Sequence, residues 1–212
     1  MTPDEVAALI RSRRTSMLVD RNRPVPRELV PPGDDGQEPR HALLQGGPDV
    51  LVEQADADLV INAAAYTAVD RAETERDVAF LINAEAPGAM ARACAARGLL
   101  LVNVSTDYVF NGSGSRAWRE DDATAPINAY GDSKLAGEQA IAAVMADHDL
   151  QAWTFRTTWV FGVHGNNFLK TMLKLAQTRD SLSVVNDQFG APTSAALIAA
   201  VTEIGRASCR ER

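Results

Sequence analysis

Between residues 57 and 200, short and nearly continuous apolar runs alternate with longer amphipathic stretches. The short runs predict buried strands, and the longer stretches, whose apolar residues recur every three or four positions, predict helices. Strands that alternate with helices pair in parallel, because a parallel neighbour can be reached only through a long crossover connection. The pattern therefore predicts an α/β fold built on a parallel sheet.

Four short apolar runs define the predicted strands, which span Asp58–Ala63, Leu99–Val104, Ala152–Val160 and Leu182–Val185. The predicted helices span Glu73–Gly98, in which Pro87 and Gly88 are candidate interruptions, then Asn128–Ala146, Asn167–Arg179 and Thr193–Thr202. We expect the first three strands to lie parallel and adjacent. The residues that follow them would then meet at one edge of the sheet, among them Ala65, Thr106 and Trp159.

Residues 1–50 do not continue this alternation. Thr2, Pro3 and Glu5 have the order of a helix start, namely an N-cap, a first-turn proline and a capping-box acid. After Arg23 the chain is rich in proline and glycine and poor in apolar residues, which predicts little regular structure over residues 24–48. We expect no strand and no Gly-rich turn before Leu51.

Both ends of the chain look unlike its middle. Residues 1–30 resemble the first helix and loop of the nitroreductase family, in which an "SRR" stretch helps to hold a flavin phosphate, but so short a match implies no flavin site. The tail "EIGRASCRER" resembles read-through translation of sequencing-adaptor DNA. We therefore expect a chimeric or truncated sequence in four parts. These are a non-homologous or disordered segment over 1–50, two connected parts over 51–160 and 161–202, and an artefactual tail over 203–212.

Charge and cysteine content exclude several classes of protein. The net charge is −7 and the isoelectric point is near 5.0, so no overall positive field favours nucleic acid or an anionic membrane. Cys94 and Cys209 lie far apart without metal-ligand spacing, which indicates a reducing compartment and argues against a disulfide scaffold or a zinc site. No apolar run approaches the ~20 residues that span a bilayer. We expect a cytoplasmic protein that binds neither nucleic acid nor membrane.

Small and hydroxyl-bearing residues follow the first three apolar runs. Ala63–Ala65 follow the first run, Ser105, Thr106 and Asp107 the second, and Thr157–Trp159 the third. Ligands of open parallel sheets bind in the crevice beyond the carboxyl ends of the strands. Ordinary loop chemistry explains such residues at any one junction, but their recurrence after three strands indicates a site.

Tyr130 and Lys134 lie four residues apart on a predicted helix, so their side chains share one face. A free phenol has a pKa of about 10, and a neighbouring ammonium lowers that pKa, which makes the tyrosine a usable general acid for a carbonyl oxygen. Thr106, beside Ser105, can hydrogen-bond the same oxygen. The alternative for the pair alone is a solvated surface pair without a role. Reduction of the carbonyl would require a hydride from a nicotinamide or flavin cofactor.

Two glycines lie inside the same predicted helix. Gly131 and Gly137 each cost ~1 kcal/mol relative to alanine in a helix interior. Close approach of another backbone or of a ligand would explain both glycines, and the sequence does not choose between these explanations.

Seven sequence blocks between about Leu51 and Val201 resemble the dTDP-4-dehydrorhamnose reductase family of the extended short-chain dehydrogenase/reductase superfamily. In order, they are "INAAAYTAVDRAE", "LINAEAP", "STDYVFNG", "PINAYGDSKLAGE", "FRTTWVFG", "GNNFLKTMLKLA" and "VVNDQFGAPT". The resemblance implies a Rossmann-like, doubly wound parallel sheet. Residues 51–160 would form a partial NAD(P)-binding domain with the catalytic helix, and residues 161–202 would form the start of a truncated substrate-binding part. Such a fold opens with a strand, a Gly-rich turn and a helix that hold the cofactor pyrophosphate. Because we expect this chain to lack that first strand and turn, we expect it to bind NADPH or NADH poorly.

The resemblance also assigns a catalytic set. Tyr130 would be the proton donor, Lys134 its electrostatic partner and a ligand of the nicotinamide ribose, and Thr106 the hydrogen-bonding partner of the carbonyl. Asn83 matches the helix asparagine of the family's catalytic set.

Further positions would line the cofactor and the sugar. Ala63, Ala64 and Ala65 would border the cofactor together with Tyr130 and Lys134, and Asp107 and Trp159 would join Thr106 in contacting the deoxysugar. The alternative for Trp159 is a core aromatic. Some members of the family bind a metal through a carboxylate at a dimer interface. The matching position here is Ala196, so we expect no metal.

The implied activity is reduction of the 4-keto group of a dTDP-sugar by NADPH or NADH, in an enzyme of nucleotide-sugar biosynthesis that forms a homodimer. Three alternatives stay open. The chain could come from another nucleotide-sugar epimerase, dehydratase or reductase of the superfamily, from a non-catalytic regulatory subunit on the same fold, or from an inert fragment.

Overall fold

The computed structural model describes residues 16–19, 48–54 and 56–210. These residues belong to two compact units whose boundary falls between residues 156 and 157. The larger unit contains the strands β1 (Ser16–Val19), β2 (Leu59–Asn62) and β3 (Leu100–Thr106) and the start of β4 (Ala152–Phe161). The smaller unit contains the end of β4, helix α6 (Phe168–Ala176), strand β5 (Pro192–Ser194) and helix α7 (Ala195–Arg210).

The sheet of the larger unit has the order β1-β2-β3-β4. Strands β2 and β3 are parallel, with Leu59 opposite Leu100 and Asn62 opposite Asn103, so the predicted parallel pairing of these two runs is confirmed. Strand β1 is antiparallel to β2, with Ser16 opposite Asn62. The prediction that no strand precedes Leu51 is therefore wrong, because the four-residue run "SMLV" pairs with the edge of β2 that faces away from β3.

Helices connect the strands of the larger unit. In chain order they are α1 (Pro48–Gln54), α2 (Val69–Ala72), α3 (Arg76–Phe80), α4 (Ala86–Arg97) and α5 (Ala129–Asp147), with a π-helical turn (Leu81–Glu85) between α3 and α4 and a 3₁₀ turn (Asp107–Val109) after β3. The predicted helix Glu73–Gly98 is thus three consecutive helical segments. Pro87 lies in the first turn of α4, directly after the π-helical turn, and the chain stays helical through it. Gly98 ends α4 with a left-handed φ of 62°.

The core of the larger unit lies between the sheet and helices α1, α4 and α5. Its fully buried members include Val60 of β2, Leu101 of β3, Met90 of α4 and Ile141 of α5. Apolar side chains on these strands and helices bury one another, which fixes the position of α5 against the end of β3. The site described below depends on that position.

The smaller unit departs from the predicted elements at one point. Strand β5 pairs in parallel with the end of β4, with Thr158 opposite Pro192. The predicted strand Leu182–Val185 is wrong, because these residues have no regular structure and their apolar side chains are exposed. The β-partner of β4 comes ten residues later, at "PTS", and the predicted helix Thr193–Thr202 begins at Ala195.

Several predictions fall outside the described residues, namely the helix start at Thr2, the irregular segment up to residue 47 and the absence of a Gly-rich turn. The division into parts at residues 50, 160 and 202 stays a prediction. Among the described helices, none is long and apolar enough to span a membrane.

Candidate active site

Thr106 and Tyr130 come together at the carboxyl end of β3. Thr106 is the last residue of the strand and is buried, and its Oγ1 accepts a hydrogen bond from the backbone N–H of Tyr108 at 3.2 Å. Tyr130 is the second residue of α5, whose first turn is capped by Asn128 Oδ1 accepting from Gly131 N at 2.7 Å. The Thr106 side chain interacts with the Tyr130 phenol. The two hydroxyls predicted to share one carbonyl oxygen therefore lie within reach of each other.

The pKa of Tyr130 is set mainly by burial, which raises it from 10.0 to about 12. The Thr106 side chain lowers this pKa, while Asp107 and Tyr108, whose ring packs edge-on at a centroid distance of 5.6 Å, raise it. The expected lowering of this pKa is therefore wrong for the structure, because burial outweighs every other contribution. The phenol stays protonated at neutral pH, and this is the form that gives a proton to a carbonyl oxygen.

Lys134 lies one turn after Tyr130 on α5, and only 2% of the residue is exposed. Its Nζ donates a hydrogen bond to the backbone carbonyl of Val104 at 2.7 Å. Burial lowers the pKa of Lys134 from 10.5 to about 8, and the carboxylate of Glu138 raises it in opposition. At pH 7 the side chain is therefore still mostly an ammonium.

The two helix glycines allow other backbone segments to approach α5. A Cβ at Gly131 would lie 2.2 Å from the carbonyl oxygen of Tyr108, and one at Gly137 would lie 2.1 Å from the carbonyl oxygen of Asn83. The structure thus selects backbone approach as the explanation that the sequence left open. These contacts place the 3₁₀ turn and the π-helical turn directly against the helix that carries Tyr130 and Lys134.

Asn83 lies in the π-helical turn and is only 1% exposed. Its Oδ1 accepts from the backbone N–H of Tyr66 at 2.9 Å, and its Nδ2 donates to the Tyr66 carbonyl at 3.0 Å and to Ser133 Oγ at 2.9 Å. Ser133 Oγ in turn donates to the carbonyl of Tyr130 at 2.8 Å. Asn83 therefore joins the segment after β2 to the helix of Tyr130. Its place in the catalytic set stays a prediction.

Ala63, Ala64 and Ala65 follow β2 and are half-buried. The turn they form is held by Asn62, whose Oδ1 accepts from the backbone N–H of Ala64 at 3.2 Å and whose Nδ2 donates to Asn103 Oδ1 at 2.9 Å. Asn62 and Asn103 are buried partners in the β2–β3 register. The three side chains that follow β2 are therefore methyl groups, and the buried amides of Asn62 and Asn103 hold the backbone that carries them.

The two predicted sugar contacts lie on different units. Asp107 begins the 3₁₀ turn beside Thr106, whose Oγ1 donates to Asp107 Oδ1 at 3.3 Å. Trp159 belongs to the smaller unit, where it sits at an irregularity in the β4–β5 pairing with a left-handed φ of 45°. Its side chain is 48% exposed, so the alternative of a core aromatic is wrong, and a Cβ at Gly190 would lie 3.1 Å from the indole Cε2. The roles of both residues in substrate binding stay predictions.

Three polar residues of the site were missed from the sequence. Asn103 could have been noticed as a lone amide inside a buried apolar strand. Glu138 lies four residues after Lys134, so the Tyr-x-x-x-Lys spacing continues by one more turn to a carboxylate. Arg156 lies on β4, and no sequence spacing connects it with Glu138, although the two form an ion pair at 2.7 Å.

The expectation of no metal stays a prediction. Ala196 is an exposed residue of α7. The part of the chain that the structure describes contains no group of three or more histidine, cysteine or acidic residues arranged to hold a metal ion.

Comparison with known proteins places this geometry in a family. Residues 47–208 match the family model described as "RmlD substrate binding domain". The chain is 53% identical over 145 residues to the dTDP-4-dehydrorhamnose reductase of Escherichia coli K12, covering 68% of this chain and 47% of that protein. It thus spans about half the length of the curated relatives it matches.

Solved structures agree with this assignment. A dTDP-4-dehydrorhamnose reductase from Bacillus anthracis in complex with NADP matches with a TM-score of 0.69 and 41% identity, over 74% of this chain and 54% of that one. A UDP-glucose 4-epimerase from Brucella ovis in complex with NAD matches with a TM-score of 0.65 at 18% identity, over 77% of this chain and 57% of that one, and so supports the fold alone. The predicted α/β, Rossmann-like fold class is confirmed. The chain belongs to the family of the dTDP-4-dehydrorhamnose reductases.

Proposed function

We propose that the protein to which this sequence belongs reduces the 4-keto group of dTDP-4-dehydro-L-rhamnose to give dTDP-L-rhamnose, with NADPH or NADH as the hydride donor. This reaction belongs to nucleotide-sugar biosynthesis for cell-surface polysaccharides. The observation that carries the proposal is the cluster of Thr106, Tyr130 and Lys134 at the carboxyl end of a parallel strand, in a chain of this family.

The residues around this cluster fit a nicotinamide cofactor. The turn after β2 carries three small side chains, Ala63–Ala65, and the amides of Asn62 and Asn103 fix this turn. A large cofactor can therefore approach the end of the strand. Lys134 has three N–H donors, of which the Val104 carbonyl takes one, so the ammonium can also bind a ribose hydroxyl. The relative from Bacillus anthracis was solved with NADP, which supports the same class of cofactor here. Such a cofactor would supply the hydride.

The chain's own groups would handle the proton. Tyr130 and Thr106 would both donate hydrogen bonds to the substrate carbonyl oxygen, which holds the ketone in one orientation. As carbon 4 gains a hydride, negative charge develops on that oxygen, and Tyr130 transfers its phenolic proton to it. The resulting phenolate would be stabilised by the Lys134 ammonium one turn away. The raised pKa of Tyr130 keeps the proton available, and a positive charge on Lys134 would favour its release.

The proposal can be tested in a chimera in which residues 56–203 replace the matching segment of the Escherichia coli relative. We expect this chimera to oxidise NADPH when dTDP-4-dehydro-L-rhamnose is added, measured by the loss of absorbance of NADPH. Tyr130→Phe should remove most of the turnover while sparing NADPH binding, because only the proton donor is lost. Lys134→Ala should impair both turnover and NADPH binding, because its ammonium serves the phenol and the ribose.

Tyr108→Phe is the matched control, since it removes a second phenol oxygen from the same site and should leave most of the turnover. A Tyr130→Phe chimera with near-full kcat would show that the general acid is assigned wrongly. A folded chimera that binds NADPH but does not reduce the sugar would reject the proposed substrate. The homodimer and the cytoplasmic location stay predictions, to be checked by sedimentation and by cell fractionation.

A further inference from the structure

Glu138 pairs with Arg156 and shares a helix with Lys134 on the larger unit. It lies one helical turn after Lys134 on α5, and its side chain is 11% exposed. Ser105 Oγ donates to Glu138 Oε1, and Arg156 donates through Nε at 3.1 Å and through Nη2 at 2.7 Å to Oε2. Ser105 directly follows Val104, whose carbonyl holds Lys134 Nζ. One short stretch of β3 therefore fixes both the ammonium and the carboxylate.

Arg156 is itself held firmly. Its guanidinium packs over the ring of Phe110 at 5.0 Å from the centroid, and its Nη1 donates to the backbone carbonyl of Glu120 at 3.3 Å. With Lys134 buried, the cluster holds two positive charges and a single negative charge between them. Loss of the carboxylate would leave Arg156 and Lys134 as neighbouring cations. Their repulsion disfavours the charged form of Lys134, because arginine does not release its proton.

The other ionisable groups around this cluster do not compensate for that carboxylate. Tyr130, one turn before Lys134, is a neutral phenol at neutral pH. Asp107 lies after the end of β3 and interacts with Tyr130. Among the residues that the structure describes, the charged group that raises the pKa of Lys134 is Glu138, and it acts against burial.

We propose that Glu138 is a positioning residue for the reductase site: held by Ser105 and Arg156, its carboxylate keeps the buried Lys134 side chain charged. This role rests on the proposed function, because a charged Lys134 matters for turnover only if Tyr130 passes through a phenolate. Glu138 touches neither a substrate nor a cofactor in this proposal, and it acts through Lys134.

The test measures the charge of Lys134 directly in the 212-residue chain. Its three lysines are Lys134, Lys170 and Lys174, so a sample with ¹³C-labelled lysine gives three Cε signals to follow against pH. Glu138→Gln retains the side-chain shape and an oxygen acceptor for Ser105 and Arg156 but removes the charge. We expect the titration midpoint of Lys134 to fall by roughly one pH unit, with those of the other two lysines unchanged.

The direction of the shift separates an electrostatic role from a structural one. Any loosening that admits water around Lys134 would raise its midpoint from about 8 towards 10.5, whereas loss of the neighbouring negative charge lowers it. Asp147→Asn is the matched control, because it removes an exposed carboxylate farther along the same helix and should leave the Lys134 midpoint in place. An unchanged or raised midpoint in folded Glu138→Gln would overturn the proposal.

A second variant covers the case in which Glu138→Gln does not fold. Glu138→Asp keeps the charge but draws the carboxylate back by one methylene, so the Lys134 midpoint should still fall, by less than in Glu138→Gln, and an unchanged or raised midpoint there would also overturn the proposal. Neither titration needs substrate or cofactor. A shifted midpoint with an inactive chimera would therefore reject the proposed function alone, and an unmoved midpoint with an active chimera would reject the role of Glu138 alone.

Discussion

The packing of α5 against the π-helical turn can be tested with Gly137→Ala. The new Cβ would lie 2.1 Å from the carbonyl oxygen of Asn83 and 3.2 Å from its carbonyl carbon, whereas ordinary contact begins at 3.4 Å. Both atoms are backbone, so the two helical segments must separate by about 1 Å in the buried core, which typically costs ~1–3 kcal/mol or more. A 2.1 Å approach to backbone oxygen places the cost at the upper end of that range, ~3 kcal/mol, and alanine recovers ~1 kcal/mol of helix propensity, so we expect a net loss of ~2 kcal/mol.

Gly88→Ala provides a matched control in the facing helix. Its Cβ would meet the Cβ of Ala140 at 3.1 Å, a side-chain contact that a shift of a few tenths of an ångström relieves. We expect this variant to be within ~0.5 kcal/mol of the wild type, since the propensity gain offsets the crowding. Urea unfolding followed by circular dichroism measures both free energies of unfolding. A Gly137→Ala protein as stable as Gly88→Ala would refute the argument that close backbone approach explains this glycine.

Three further predictions follow, two from the charge of Lys134 and one from the hydrogen bonds of Asn83. The chimera's kcat should fall as pH rises through about 8, because Lys134 loses its proton there. Over about pH 8–9 the free energy of unfolding should instead rise with pH, because the unfolded Lys134 still binds a proton that the folded one has lost; above that range the buried thiol of Cys94, with its pKa raised to about 12, acts in the opposite direction. A pH-independent kcat from 7 to 9 would contradict the first prediction. A double-mutant cycle of Asn83→Ala and Ser133→Ala should give a coupling energy of ~1 kcal/mol in urea unfolding, and additive effects would show that their 2.9 Å contact contributes nothing.

The sequence correctly predicts the strands that pair with neighbours belonging to the same alternation of strands and helices. The runs that became β2, β3 and β4 were located within two residues at each end, because each is buried or paired where the pattern puts it. The run Leu182–Val185 is also apolar, yet it forms no strand. A strand needs a neighbouring strand to pair with, and β4 pairs with Pro192–Ser194 instead. Strand β1 ("SMLV") was missed for the same reason. Its four residues lie in a polar region, and they form a strand only because they pair with β2.

For the site, the sequence predicts which residues bear chemistry better than how their environments tune it. The spacing of Tyr130 and Lys134 correctly places them one turn apart on one helix. It does not report desolvation, which raises the pKa of Tyr130 and lowers that of Lys134, because burial depends on the whole core around α5. Arg156 illustrates the same limit, since its ion pair with Glu138 depends on where β4 falls beside the helix.

The opposed shifts of the two pKa values have a common physical origin and a joint consequence. Burial disfavours whichever form is charged, so it keeps Tyr130 protonated and pulls Lys134 towards its neutral form. The proposed reduction would need the first effect and would be harmed by the second, because the phenolate left after proton transfer would require a cation nearby. The buried carboxylate of Glu138, one turn further along α5, opposes the lowering of the Lys134 pKa. It does so without exposing Tyr130 to solvent. The Tyr-x-x-x-Lys-x-x-x-Glu spacing therefore lets one helix present a neutral acid and a charged lysine in the same apolar environment.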